Sequence, residues 1–116
     1  MTIQLKRAYD SPSKSDGKRI LVDRLWPRGL TKPKARIDLW LKEIAPSTEL
    51  RKWFHHEDAD WKEFQRRYLA ELKSHRAEVE LLRKEAREAP VTLVFSSRNR
   101  NQNHAVILKQ SLERGR

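Results

Sequence analysis

The feature that most constrains this fold is a long helical stripe that ends just before a strand-like run. Within residues 60–88, largely apolar positions recur every three or four residues, which is the spacing of one helix face; they are Trp61, Phe64, Tyr68, Leu72, His75, Val79, Leu82 and Ala86. A single helix of this length would extend about 43 Å, more than the width of a compact domain this small. The spacing therefore predicts two helices with a break near Ser74.

Three short runs have the pattern of strands. Residues 3–9 alternate apolar and polar side chains, residues 19–25 contain a continuous apolar run, and residues 91–95 follow Pro90. Strands separated by helices predict an α/β fold, a three-layer Rossmann-like single domain with a small, mostly parallel sheet. The connector between the first two strands has nine residues, which is short for a parallel crossover, so the residues alone leave a hairpin open.

The segments between these runs are less regular. Residues 31–45 fit either a helix or a strand, and we expect a turn of helix near Pro33 followed by an extended segment. Ser47 or Thr48 can cap a helix that buries Leu50, Trp53 and Phe54. A last helix is expected to begin at Asn103 and His104.

Composition narrows the functional classes. The 116 residues contain no cysteine, which excludes disulfides, thiolate nucleophiles and cysteine-ligated zinc. The first thirty residues hold no long apolar run, so we expect one cytoplasmic domain over residues 1–116, with no signal peptide or membrane partner. The sequence does not predict an oligomeric state.

The net charge of +10 is evenly distributed. Each half of the chain, residues 1–58 and residues 59–116, carries 13 Lys or Arg against 8 Asp or Glu. A nucleic-acid-binding arm would be lopsided. The even distribution indicates weak attraction to any polyanion, and nucleic acid is an alternative partner rather than the favoured one.

Two strand ends carry the candidate site. Open α/β sheets bind ligands beyond the carboxyl ends of their strands, and here those ends are residues 23–28 and residues 96–104. The second segment is rich in hydrogen-bond donors and leads into a helix N-terminus, an arrangement that favours anions. Because it lacks glycine, side chains rather than a backbone cradle would make the contacts. Asp23, Arg24, Trp26, Arg28, Arg98 and Asn103 are the candidate ligand-binding residues, and Ser97 and His104 the candidate catalytic ones.

Each candidate also has a structural interpretation. Asp23 and Arg24 could form an internal ion pair, and Trp26 could pack beside Pro27. Ser97 could tie down its own loop. Asn103 could cap the last helix, and His104 could be a surface histidine.

Two further motifs are interpreted as structural. His55 and His56 are adjacent, so on a helix they diverge by about 100°, whereas metal ligands usually share a face. We therefore expect no metal there. Tyr68 is expected in the core, with a hydrogen-bond partner for its hydroxyl.

The stretch LVDRLWPRG at residues 21–29, together with residues 45–56, 66–72 and 91–108, resembles the YeaO-like family of small prokaryotic proteins of unknown function. In a sister branch, a late strand leads to a Cys-His-Arg helix start. His104 matches that histidine, whereas Asn103 and Ala105 replace the cysteine and the arginine, so thiol chemistry is lost. The resemblance implies a Rossmann-like fold with parallel first and second strands, and it implies no reaction.

These observations give three functional hypotheses. The first is a small-ligand domain, catalytic or not, that binds a phosphate- or carboxylate-bearing metabolite through Arg24, Arg28 and Arg98, with Trp26 as a wall and Asp23 orienting an arginine. The second is a nucleic-acid-binding module that uses its basic surface and exposed tryptophans. The third is an interaction module without a site. No cofactor follows from the sequence.

Overall fold

The structure is a computed structural model that describes residues 1–56 and 58–114. It contains the strands β1 (Ile3–Arg7), β2 (Lys18–Leu21), β3 (Leu39–Trp40) and β4 (Val91–Phe95). Its helices are α1 (Lys32–Ala35), α2 (Thr48–Phe54), α3 (Trp61–Leu72), α4 (Arg76–Glu88) and α5 (His104–Glu113), with short 3-10 turns at Lys14–Asp16 and Lys42–Ile44.

The four strands form one parallel sheet in the order β1-β4-β2-β3. The last strand lies between the first two: Leu93 is opposite Leu5 on one side and Ile20 on the other. The α/β class and the parallel sheet are therefore confirmed, and the hairpin alternative is wrong. A short connector suffices because β1 and β2 do not pair with each other.

The two faces of the sheet are covered differently. Side chains of alternate residues point to opposite faces, so Val91, Leu93 and Phe95 pack in a large core with the helices. Val94 and Leu21 point the other way, into a small apolar cluster. A thinner layer covers that second face, and its partly buried members are Trp26, Leu30, Ile37 and Trp40. Helices, sheet and this loop layer account for the three layers.

The predicted helix break is confirmed, since α3 ends at Leu72 and α4 begins at Arg76. The ambiguous segment is also decided: after α1 the chain extends through Leu39 and Trp40. β2 ends at Leu21, earlier than residue 25. The peptide N–H of Val22 still donates to Val94, but Asp23 then turns towards β4 and leaves the sheet.

A buried ionic cluster lies on the second face of the sheet, beside the start of β2. Asp16 is 3% exposed and accepts hydrogen bonds from the Lys6 ammonium, the Arg19 guanidinium and the Ser13 peptide N–H. Burial raises the pKa of Asp16, but those donors more than offset it, and the net pKa is lowered. Arg19 also donates twice to the Ala35 carbonyl, which fastens α1 to the sheet.

Gly17 brings this cluster against the start of β4. Its φ is +64°, a left-handed conformation, and an added Cβ would lie 2.1 Å from the Pro90 carbonyl oxygen. Only glycine fits such a close backbone approach.

Within the described residues, no helix is both long and apolar enough to cross a membrane.

Candidate functional site

The two predicted strand ends lie side by side. Leu21 is paired with Val94, so the segments after β2 and β4 leave neighbouring strands at the same edge. The Ser96 peptide N–H donates to Oδ2 of Asp23 over 2.9 Å, which joins the two segments directly. The expected shared rim at the carboxyl edge is therefore present.

A cavity of about 680 Å³ opens at this rim. It is lined by all eight residues that the sequence singled out, namely Asp23, Arg24, Trp26, Arg28, Ser97, Arg98, Asn103 and His104. The volume lies within the range of about 300–1,000 Å³ that is common for small-molecule pockets. The eight side chains therefore lie around one cavity, although several of them make other contacts than those expected.

Asp23 is paired with a histidine rather than with an arginine. Its Oδ1 lies 3.1 Å from Nε2 of His104, and that nitrogen is also 2.9 Å from the Val22 carbonyl oxygen. A carbonyl can only accept, so Nε2 carries a proton directed at Val22. Oδ1 of Asp23, although near the ring, is left without a hydrogen bond. The expected roles of Asp23 as partner of Arg24 or orienter of an arginine are wrong, because its carboxylate faces β4 and α5.

His104 is accordingly not a surface histidine. Its side chain is 14% exposed, and the ring of Tyr68 meets its ring edge-on with centroids 5.9 Å apart. Tyr68 is buried as predicted, and its hydroxyl donates to the Ile44 carbonyl over 2.6 Å. Burial raises the pKa of Tyr68 further above its ordinary value, so the tyrosine stays a neutral group packed against the histidine ring.

Arg24 is fixed by backbone carbonyls. Its guanidinium donates to the carbonyl of Ala45 over 3.2 Å and to that of Pro46 over 3.4 Å. In the described part of the chain, no carboxylate oxygen forms a salt bridge with Arg24. Its charge is therefore held in place at the cavity without being neutralised.

Trp26 both packs and lines the cavity. Its indole N–H donates to the Leu30 carbonyl over 2.6 Å, and its ring contacts Trp40 edge-on with centroids 5.5 Å apart. Trp40, Trp53 and Trp61 are likewise partly buried against other side chains. All four tryptophans are partly buried rather than exposed, so they offer less stacking surface than the nucleic-acid hypothesis assumes.

Asn103 and Ser97 hold their loop. The Asn103 carboxamide oxygen accepts from the Val106 peptide N–H and caps α5, while its amide group donates to the Asn99 carbonyl. Ser97 Oγ accepts from the Asn99 peptide N–H over 3.3 Å. The structural interpretations of both residues are therefore confirmed.

The same loop is anchored from β1. Arg7 donates to the Ser96 and Ser97 carbonyls, and Arg100 forms a bidentate pair with Asp10. The hydrogen bonds from Arg100 lower the pKa of Asp10 to about 2.

The structure adds lining residues that sequence reasoning missed. Arg51 and Phe54 of α2 line the cavity, together with His55 immediately after that helix and Phe64 of α3. The spacing of four between Arg51 and His55 places both on one helix face, a signal that could have been used. Among the described residues, no three His, Asp or Glu side chains lie close enough together to hold a metal ion. This includes the surroundings of His55.

The electrostatic balance of the cavity is strongly positive. Arg24, Arg28, Arg51 and Arg98 line it, whereas Asp23 is the single carboxylate among the lining residues described. Oδ2 of that carboxylate already accepts from the Ser96 peptide N–H. Four guanidinium groups facing one space repel one another unless an anion compensates them.

Comparison with known proteins identifies a family over nearly the whole chain. Residues 2–115 match the family model described as "Inactive DUF488-N3 subclade". The chain is 54% identical over 108 residues to the uncharacterized protein YeaO of Escherichia coli (strain K12), covering 93% of this chain and 94% of that protein.

More distant relatives are also uncharacterized. The chain is 41% identical over 110 residues to uncharacterized proteins of Mycobacterium bovis and Mycobacterium tuberculosis, covering 95% of this chain and 92% of theirs. No solved structure matches the chain at a significant level.

Proposed function

This chain belongs to the inactive DUF488-N3 subclade, and from that premise we propose that it is a binding domain for a small phosphate- or carboxylate-bearing ligand. The ligand occupies the cavity at the carboxyl edge of the sheet. Arg24, Arg28, Arg51 and Arg98 supply its counter-charge. Arg51, which lies on α2, is added to the three arginines that the sequence predicts.

The observation that carries this proposal is the state of Arg24. A partly buried guanidinium without a carboxylate partner is costly unless a ligand supplies its counter-charge. Arg7 is likewise held by backbone carbonyls, but unlike Arg24 it does not line the cavity. Arg24 is oriented by two carbonyls of the segment before α2 and has no carboxylate partner among the described residues. A guanidinium fixed in this way is pre-organised to donate to the paired oxygens of a phosphate or carboxylate.

Binding without turnover agrees best with the groups at the centre of the cavity. The family description calls the subclade inactive, and Asn103 and Ala105 stand where the sister branch has cysteine and arginine. Ser97 Oγ is occupied by its own loop, and Nε2 of His104 by Val22. His104 therefore acts as a ligand contact through Nδ1, and Ser97 shapes the loop that carries Arg98.

Isothermal titration with inorganic phosphate at low salt tests the proposal. Arg51→Ala should weaken binding about tenfold or more, since a hydrogen bond to a charged group contributes about 1.5–3 kcal/mol. Arg87→Ala is the matched control, because Arg87 is an exposed arginine of α4 that does not line the cavity. Equal affinity of both variants and the parent for phosphate would mean that the anion binds elsewhere and would refute anion binding at this site.

A salt series separates this function from nucleic-acid binding. A pocket that holds one anion through a few arginines should lose affinity gently as salt rises, whereas a surface that neutralises many phosphates loses it steeply. A steep slope with a single-stranded oligonucleotide, unaffected by Arg51→Ala, would favour the nucleic-acid alternative instead.

A further inference from the structure

The mouth of the cavity carries two exposed apolar side chains, Leu25 and Tyr9, although the Arg7 guanidinium lies over the Tyr9 ring, 5.2 Å from its centroid. Leu25 is 62% exposed, the highest value among the large apolar residues described, and Tyr9 is 46% exposed. Both line the cavity. The other large apolar residues with high exposure are Met1 at the start of the chain and, less exposed, Leu69 and Leu81 on α3 and α4. Apart from the terminal methionine, the most exposed apolar surface is thus concentrated at the site.

The inner wall is aromatic. Phe54 and Phe64 line the cavity and stack on each other with ring centroids 4.0 Å apart and planes inclined by 16°. Phe64 stacks in turn on the buried Tyr68, so the wall is the end of a rigid aromatic column. Trp26 lies at the same cavity, fixed by its hydrogen bond to Leu30. These rings are held by the core and offer a preformed surface.

The size of the cavity exceeds the need of a small inorganic anion. A volume of about 680 Å³ accommodates a drug-sized molecule, and such pockets bind through an apolar wall with a few polar groups that fix orientation. A free phosphate would engage the arginines and leave Leu25 and Tyr9 uncovered.

We propose that the ligand is an aromatic anion, with a planar ring system bonded to a phosphate or carboxylate group. The anionic group contacts the arginines, while the ring covers Leu25 and Tyr9 and packs against the aromatic wall. This assignment deepens the proposed function and rests on it.

The test compares ring-bearing anions with their ring-free counterparts. Titration calorimetry is run with 1-naphthyl phosphate against inorganic phosphate, and with 1-naphthoate against acetate, which distinguishes the two anionic groups. At least one naphthyl compound should bind tenfold or more tightly than its counterpart. Tryptophan fluorescence should change with the naphthyl compound, because Trp26 lines the cavity.

Leu25→Ser locates the ring. Leu25 is largely exposed, so the substitution should leave the fold intact, weaken the naphthyl compound several-fold and leave the ring-free anion unchanged. Leu69→Ser is the control, since Leu69 is an exposed leucine of α3 outside the cavity. Equal affinity for ring-bearing and ring-free anions, or equal effects of the two leucine variants, would overturn the aromatic assignment while keeping anion binding. Absence of binding by all four anions would overturn the proposed function itself.

Discussion

Two aspartates flank β2 and have opposite surroundings. Asp16 lies just before the strand and accepts from three donors, two of them cationic side chains. Asp23 lies just after it, where it accepts from one peptide N–H and leaves Oδ1 without a hydrogen bond. The Asp16 cluster is complete, whereas the groups around Asp23 open onto a cavity.

Arg19 and Arg24 differ in the same way. Each guanidinium is fastened to backbone carbonyls, Arg19 to Ala35 and Arg24 to Ala45 and Pro46. Only Arg19 also has a carboxylate, that of Asp16, at 2.7 Å. The two guanidinium groups are equally well positioned, but only Arg24 lacks a carboxylate partner and lines the cavity, so only Arg24 is available to a ligand there.

Asp16→Ala should have the largest effect on stability. It leaves the buried Arg19 charge without its partner, which typically costs about 3–5 kcal/mol. Urea unfolding followed by circular dichroism measures the loss. A loss below about 1 kcal/mol would mean that the Asp16 cluster does not stabilise the fold in the way its hydrogen bonds suggest.

Asp23→Ala should destabilise the fold less, by about 1–3 kcal/mol, because it leaves the Ser96 peptide N–H without its acceptor. The same urea series gives the value. If Asp23→Ala lowered the free energy of unfolding more than Asp16→Ala does, Asp23 rather than Asp16 would be the aspartate that mainly stabilises the fold.

Acid should remove stability through the paired carboxylates. The pKa of Asp10 is lowered to about 2 in the folded chain, and that of Asp16 is lowered as well, from a reference of 3.8. A lowered folded pKa contributes stability above the unfolded pKa, and this stability is lost as pH falls through the folded value. The free energy of unfolding should therefore decrease between about pH 4 and pH 2.

Urea midpoints at pH 5, 4, 3 and 2.5 follow that decrease. Asp16→Asn should flatten the profile, while Asp58→Asn is a control because Asp58 is exposed and forms no salt bridge among the described residues. A profile that Asp16→Asn leaves unchanged would contradict the assignment.

Arg28→Ala should have the smallest effect on stability, within about 0.5 kcal/mol as for an ordinary surface substitution, since Arg28 is exposed and its carbonyl bond from Tyr9 is retained. Anion binding should nevertheless be lost. Thermal unfolding and phosphate titration of one sample measure both. Unfolding by Arg28→Ala with phosphate binding preserved in the remaining folded protein would make Arg28 structural.

The candidate site was more predictable than the strand order. The Val91–Phe95 strand and the cap at Asn103 are local patterns, and the rule that parallel strands present their carboxyl ends at one edge brought residues 23–28 and 96–104 together. The insertion of β4 between β1 and β2 has no local signal. The position of β4 depends instead on which strand edges remain unpaired after the segments that connect the strands have packed.

The ionic partners were also outside the reach of local patterns. Asp16 belongs to a turn-rich connector and Arg19 to the start of an apolar run, so nothing in their spacing predicts a buried pair. Asp23 was expected to contact an arginine because Arg24 is adjacent in sequence. The chain direction after β2 instead turns its carboxylate to His104, a residue 81 positions later.

The central place of β4 also determines when the sheet can form. β1 pairs with β4 alone among the described strands, and β2 pairs with β4 and β3. During synthesis the amino-terminal strand must wait for residues 91–95, although β2 and β3 can meet early. Contacts between residues so distant in sequence slow folding and leave strand edges open to other chains meanwhile. A nascent chain that stops before Val91 therefore carries an unpaired first strand, and its rim has only one of the two segments that line the cavity.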